Sequence, residues 1–344
     1  QADLEKKYET LKKFQDVIIT YDFGDRTETL DIGKIRDLIV DDELNREKVS
    51  AYVEELAAKY DTKGTERNFV TYDDRKIKVS GGNYGWKIDQ AKETAALVSL
   101  IKNGEQTSRE PEYSQKAASH SGNDFGNTYV EINLTAQHLY FYANGKLLVE
   151  SDFVSGNAAK GWSTPAGAYS ITYKQRNATL KGQGYATPVS YWMPFNGGIG
   201  LHDANWRKTF GGTIYKNKGS HGCINLPPAV AKTIYENISA GDPVLCYHLD
   251  GTESSKTSGT KKDGTAETTA ATTAVPTAAA PETTAAPATT AAPETTAAGP
   301  SVPETTAAPE TTPAVTAGGD NENFGPGFVQ ETEGMTEQEV GPGF

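Results

Sequence analysis

The chain has 344 residues, a formal charge of −12 and two cysteines. The acidity is unevenly placed: residues 249–344 hold three Lys/Arg against fourteen Asp/Glu, a balance of −11, while residues 127–248 stand at +4 and residues 1–126 at −5. A charge that belongs mostly to a tail says little about partners, no basic stripe points to nucleic acid, and no run of about 18 apolar residues is long enough to cross a membrane.

The chain opens at Gln1 on a charged segment without a signal-peptide pattern, so we expect a processed or trimmed form whose export or membrane-anchor segment is missing. Leu4, Tyr8, Leu11 and Phe14 have helical spacing over residues 1–15. Residues 17–23 and 27–32 read as two strands joined at Gly24-Asp25-Arg26, and Asn45 as the N-cap of a helix carrying Val49, Val53, Leu56 and Tyr60. A second hairpin follows, 68–72 and 75–79. Asp89 then caps a helix whose inner face is expected to be Ala91, Ala95, Val98 and Lys102. These elements predict an α+β domain over residues 1–115 without a catalytic constellation. Residues 104–126 are polar and read as a connector, with the linker proper at 116–126 and His120 in it as a solvated residue.

From residue 128 the period changes to strands: 129–134, 137–142, 146–149, 151–155, 168–173 and 189–193. Asn144-Gly145 between apolar runs predicts a hairpin, because that turn needs positive φ at both residues. A mainly-β module over 127–249 is the expectation, with His138 inside a strand as a structural histidine. After Asp250, Thr, Ala, Pro and Glu dominate, and Pro-Glu-Thr-Thr recurs at 281, 293, 303 and 309. So few large apolar residues cannot offset the entropy of ordering, which predicts a disordered stalk or spacer over 250–344. Gly-Pro-Gly-Phe occurs twice, at 325–328 and 341–344.

The densest chemistry lies in Ser220-His221-Gly222-Cys223, followed by Pro227-Pro228 and a helix carrying Val230, Ile234 and Ile238, which Gly241 is expected to end. A cysteine in the turn before a helix N-terminus has its thiolate favoured, and the Gly222 and Cys223 amides are candidate oxyanion donors. Two histidines compete as base. His221 is nearly adjacent, and neighbouring side chains diverge; His202 ends an apolar alternating run, Gly198-Ile-Gly-Leu-His-Asp203, as a strand end entering a cleft does. His202 is therefore the preferred base and His221 a helper. Other readings stay open: a small buried thiol, or a metal site of His202, His221 and Cys223, which lacks a second cysteine at short spacing. Cys246 lies in the alternating strand 243–248 and reads as core rather than as a disulfide partner.

Ser220-His-Gly-Cys-Ile-Asn225 preceded by His202 resembles the signature of the L,D-transpeptidases, the YkuD-type catalytic domain. Gln137-x-Leu-Tyr, Ser155-Gly156 and Thr164-Pro-x-Gly-x-Tyr169 extend the likeness over 127–248. Residues 1–115, with Gly85-Trp86, are similar to the peptidoglycan-binding domain that precedes it in some Gram-positive members. The resemblance implies a β-sandwich with Cys223 under a flap. It also implies release of terminal D-Ala from a tetrapeptide stem and 3→3 cross-linking of peptidoglycan stem peptides through a thioester, with no metal and no organic cofactor. His202 carries over as base, Asp203 as the residue whose backbone carbonyl orients it, and Ser220, His221 and Gly222 as the frame of the oxyanion site. Tyr191, Trp192, Met193, Trp206 and Asn225 are the expected substrate-binding residues. The same residues suit an L,D-carboxypeptidase or attachment of a protein to the wall; a non-catalytic wall-binding protein and a surface stalk are the competing classes. The expected place is extracellular, at the wall or the outer face of the membrane of a Gram-positive bacterium.

Overall fold

The structure, a computed structural model, describes residues 2–182 and 185–259. The Pro-Glu-Thr-Thr segment and both Gly-Pro-Gly-Phe repeats lie outside the described residues.

The N-terminal region is built from helices α1 (Ala2–Lys12), α2 (Arg46–Tyr60) and α3 (Gln90–Lys102) with strands β1 (Ile18–Asp22), β2 (Thr27–Leu30), β3 (Arg67–Val70), β4 (Lys76–Val79) and β5 (Gln106–Arg109). β2, β1 and β5 form one sheet, β1–β2 antiparallel and β1–β5 parallel. Both expected caps are present: Asn45 Oδ1 accepts from Lys48 N at 2.9 Å and Asp89 Oδ1 from Lys92 N at 3.1 Å. Such side-chain oxygens satisfy amides that have no partner inside the helix.

Three expectations are corrected in this region. The buried stripe of α3 is Glu93, Thr94, Leu97 and Ile101, not Ala91, Ala95, Val98 and Lys102. Glu93 fixes that rotation, since its buried carboxylate takes Tyr21 Oη at 2.5 Å, Arg109 Nη1 at 2.7 Å and Glu112 N at 2.6 Å; a buried charge is tolerable only with such donors. The helix that the spacing of Leu4, Tyr8, Leu11 and Phe14 predicts is present as α1, with Leu4 and Tyr8 largely exposed. The polar stretch 104–126 is no free connector: it supplies β5, and Asp124 is buried against Arg67 at 2.6 Å. Within it His120 is not solvated but stacks on Trp86, ring centroids 3.7 Å apart.

The second region is a β-sandwich. Its strands are β6 (Tyr129–Asn133), β7 (His138–Ala143), β8 (Lys146–Asp152), β9 (Gly167–Ser170), β10 (Gln175–Gly182), β11 (Tyr185–Asn196), β12 (Ile199–Asp203), β13 (Ile224–Leu226) and β14 (Pro243–Tyr247). One sheet runs β8-β7-β6-β14-β9 and the other β10-β11-β12-β13. Between them lies an apolar core that includes Val130, Phe141, Phe153, Met193, Phe195, Leu201, Ile224 and Cys246, closed by Val230 and Ile234 of helix α4 (Pro228–Asn237). Asn144 and Gly145 take φ of +51° and +76°, the turn their sequence predicts. Cys246 is fully buried and both cysteines are free. His138 Nδ1 is hydrogen-bonded to Asp152 Oδ1 at 2.7 Å. β10 has no counterpart in the sequence expectation. α4 ends at Asn237, with Ile238 N bonded to Ile234 O, so Gly241 belongs to the following turn and does not end the helix.

The two regions share backbone pairing. β9 is an edge strand, and residues 81–84 cover it: Ala168 N donates to Gly81 O, while Asn83 N and Tyr84 N donate to Ala168 O at 2.9 and 3.0 Å. Covering an edge removes an open template for aggregation. Order also continues past Asp250, where it was expected to stop: Thr257–Gly259 pairs with Thr209–Gly211.

Candidate active site

β12 delivers the histidine. Its alternation sends Leu201 into the core and His202 to the opposite face, where antiparallel pairing sets Trp192 of β11 beside it. β13 runs parallel to β12 with Leu201 level with Ile224 and His202 level with Asn225. Cys223 immediately precedes β13 and so lies level with Gly200. On a pleated sheet this makes Cys223 and His202 diagonal neighbours on one face. Glycine is required at position 200, because a Cβ there would stand 2.7 Å from the Trp192 ring and 2.6 Å from Met193 O.

The turn holding Cys223 is fixed by polar residues whose role the sequence did not disclose. Ser220 Oγ accepts from Gly222 N at 3.0 Å and donates to Cys223 O at 2.6 Å, closing a small ring around the nucleophile. Thr164 Oγ1 donates to Gly222 O at 2.6 Å and accepts from Gly156 N at 3.1 Å. Buried Gln137 holds Ser155 at both ends, Oε1 to the backbone amide and Nε2 to Oγ. Gly222 takes φ +127°, which an L side chain rarely adopts.

Two expectations about the thiol are corrected. β13 lies between Cys223 and α4, so the residue does not sit directly at that helix's N-terminus. Its pKa is not lowered; burial pushes the thiol up to about 11, partly offset by the Gly200 backbone amide. Sγ faces Gly198 O at 3.5 Å. The Gly222 amide, expected as an oxyanion donor, is taken by Ser220 Oγ.

His202 is 4% exposed, and burial holds its imidazole below the usual histidine value. Nδ1 lies 2.8 Å from Asp203 O. A carbonyl only accepts, so Nδ1 carries the hydrogen and Nε2 keeps the lone pair. The Asp203 carboxylate turns the other way and takes Ser190 N and Tyr191 N, both at 2.8 Å, pinning β11 to β12. His221 is exposed and stacks on Trp162 at 4.3 Å, with Lys160 over the other ring.

Of the residues expected to meet substrate, Trp206 is 47% exposed, with its ring 5.9 Å from His202. Trp192 is buried in a cluster with Cys223, Ala178, Leu180 and Val189. Tyr191 packs on the core and on Tyr235. Met193 is fully buried between the sheets, so it does not face the cleft, and Asn225 is buried beside His202. Among the described residues no group of three His, Cys, Asp or Glu is placed to hold a metal. A cavity of about 200 Å³ lies away from Cys223, lined by Phe23, Tyr60, Trp86 and His120; the reactive groups, not the volume, mark the site.

Comparison with known proteins agrees with this geometry. Residues 127–246 match the L,D-transpeptidase catalytic domain (YkuD), and residues 5–109 the Putative peptidoglycan binding domain. A crystal structure of a cysteine-to-serine mutant of the Enterococcus faecium L,D-transpeptidase is 33% identical, covers 70% of this chain and 100% of its own, and superposes with a TM-score of 0.58. This chain belongs to the L,D-transpeptidase family. A second L,D-transpeptidase structure, the Ldtfm–avibactam carbamoyl enzyme, is likewise 33% identical over 71% of this chain and 98% of its own, with a TM-score of 0.58. Among proteins of curated function no match was found. The family assignment makes this chain a peptidoglycan-related member of the L,D-transpeptidases, preceded by a region that matches the Putative peptidoglycan binding domain.

Proposed function

We propose that the protein forms 3→3 peptidoglycan cross-links through a thioester on Cys223. The observation that carries this reading is the placement of the Cys223 thiol and the His202 lone pair on one face of one sheet, with the imidazole oriented by Asp203 O. With the thiol near 11, spontaneous ionisation at neutral pH costs about 5 kcal/mol, so a positioned base is needed.

In the reaction, the thiol swings from Gly198 O toward His202 Nε2 and gives up its proton there. The sulfur attacks the carbonyl of the L-to-D peptide bond. Its oxygen takes the negative charge against the Cys223 backbone amide and, once Ser220 Oγ lets go, that of Gly222. Collapse breaks the C–N bond; the D-Ala amine leaves with the proton from His202, and the stem remains as a thioester. The side-chain amine of an acceptor stem then attacks, passes a proton to His202, and restores the thiol as the new amide forms. Trp206, exposed at the rim, is the aromatic surface offered to the stem.

In this reading the N-terminal region, with the packed stretch 116–126, holds the wall polymer and residues 127–249 catalyse, with the protein acting outside the cytoplasmic membrane. Intact-mass spectrometry after incubation with tetrapeptide stems, or with a carbapenem as acyl mimic, tests the core of it. The expected result is one covalent adduct on the wild type and none on Cys223→Ala; equal masses for the two proteins overturn the proposal.

A further inference from the structure

A polar chain reaches His202 from a residue the reaction above leaves unused. Arg207, in the segment after β12, donates from Nε at 2.8 Å and Nη2 at 3.3 Å to Asn225 Oδ1, and Asn225 Nδ2 donates to His202 Nε2 at 3.1 Å. This is the amide orientation in which the oxygen meets donors and the nitrogen meets a lone pair. Nη2 of Arg207 also donates to Lys218 O at 3.0 Å. The guanidinium is partly buried, and burial alone lowers its pKa; among the described residues it has no carboxylate partner.

Arginine only donates, and that polarity propagates along the chain. The Asn225 oxygen must face Arg207, so its nitrogen must face Nε2. An imidazolium would then point an N–H at an amide N–H, whereas the neutral ring offers a lone pair. We propose that Arg207 is a positioning residue of the reaction, locking the Asn225 amide so that His202 rests in its neutral, proton-accepting form. The Nε2 lone pair takes one donor at a time, so the Asn225 N–H yields it to the thiol during proton transfer; once Nε2 has taken that proton, the opposed donors hasten its passage to the leaving amine.

Other groups facing the ring do not substitute for it. Trp192 and Trp206 do not ionise, and the Cys223 thiol stays neutral at rest. The Asp203 carboxylate is engaged by the Ser190 and Tyr191 amides and works in the opposite sense, favouring the charged ring, as its backbone oxygen does. The cation of Arg207 adds to burial in disfavouring it.

The inference uses the Proposed function only for the direction of proton transfer, and its test is read on the free protein. Histidine ring resonances are followed by NMR against pH, with His202 assigned by its loss in His202→Gln. Arg207→Met, which frees the amide to turn its oxygen to the ring, is expected to raise the His202 titration midpoint by about one unit. The acid limb of carbapenem acylation should move by the same amount, lowering the rate about tenfold at pH values on the acid side of both midpoints. Arg207→Lys keeps a donor and is expected to restore the wild-type midpoint. If Arg207→Met does not fold, Arg207→Leu, which likewise has no donor, takes its place with the same expectation. A residue with only a structural role would lower the melting temperature and leave the midpoint alone; an unshifted midpoint overturns the proposal, whether or not Cys223 forms a thioester.

Discussion

Cys223 combines a nucleophilic atom with a setting that keeps it inert: it is buried, protonated at neutral pH and turned toward Gly198 O. Its reactivity must then depend on His202 rather than on standing thiolate. His202→Ala is expected to lower the rate of carbapenem acylation at pH 7 by about 10²- to 10⁴-fold while leaving the melting temperature within a few degrees, measured by stopped-flow absorbance and calorimetry. Alkylation by iodoacetamide should be slow at pH 7 and rise steeply as pH approaches 11, since burial raises the thiol pKa; a fast, pH-independent reaction would contradict the buried, protonated state. The sequence pointed to both residues, because chemistry-bearing types are few and their spacing is distinctive. It did not disclose that the Ser220 hydroxyl occupies the Gly222 amide, which depends on how the turn folds back on itself.

At the scale of elements, the site is two adjacent strand ends held in register by what lies behind them. Thr164 is 3% exposed and its hydroxyl ties the 156 and 222 backbones together across the cleft. Thr164→Val keeps the shape and removes both bonds, leaving Gly156 N and Gly222 O unsatisfied; a loss of about 1–3 kcal/mol in stability is expected from urea unfolding, with slower acylation. Gly200→Ala should be worse, since the added methyl meets backbone atoms under 3 Å away; soluble, fully active Gly200→Ala would refute this account. The strand β12 follows from its alternating run; β13, between Cys223 and the helix, was not foreseen. Nor was β10, because its exposed, polar side chains alternate with only two buried ones, Ala178 and Leu180.

At the scale of the whole molecule, the N-terminal region is stitched to the sandwich at β9 and at Glu131. That carboxylate is 1% exposed, takes Tyr72 N at 2.9 Å and Tyr247 Oη at 2.6 Å, and is pushed up to about 7 by burial. Since its folded value lies above the ordinary one, the folded state takes up the proton first as pH falls. Stability from this group is full below about pH 4.5 and is lost as pH rises through 7, by at most about 3 kcal/mol. Melting temperatures of wild type and Glu131→Gln, compared from pH 5 to 8, should diverge in that sense; parallel curves would show that Glu131 does not titrate in this range.

The sequence by itself determined the two-region order, the helix caps and the Asn-Gly hairpin, and it singled out Cys223 and His202, which the fold brings to one face of one sheet. Each of these rests on local rules: a cap oxygen beside its amides, a turn that needs positive φ, a reactive residue type in a glycine-containing turn. Only the tertiary structure decided which face α3 buries, where His120 and Asp124 go, and which way the Asn225 amide points. Those outcomes depend on buried polar groups finding partners far along the chain, Glu93 with Tyr21 and Arg109, Asp124 with Arg67, and Asn225 with Arg207 and His202. Spacing along a chain carries no record of such pairings; they are set by the cost of leaving a polar atom unmatched once water has been excluded.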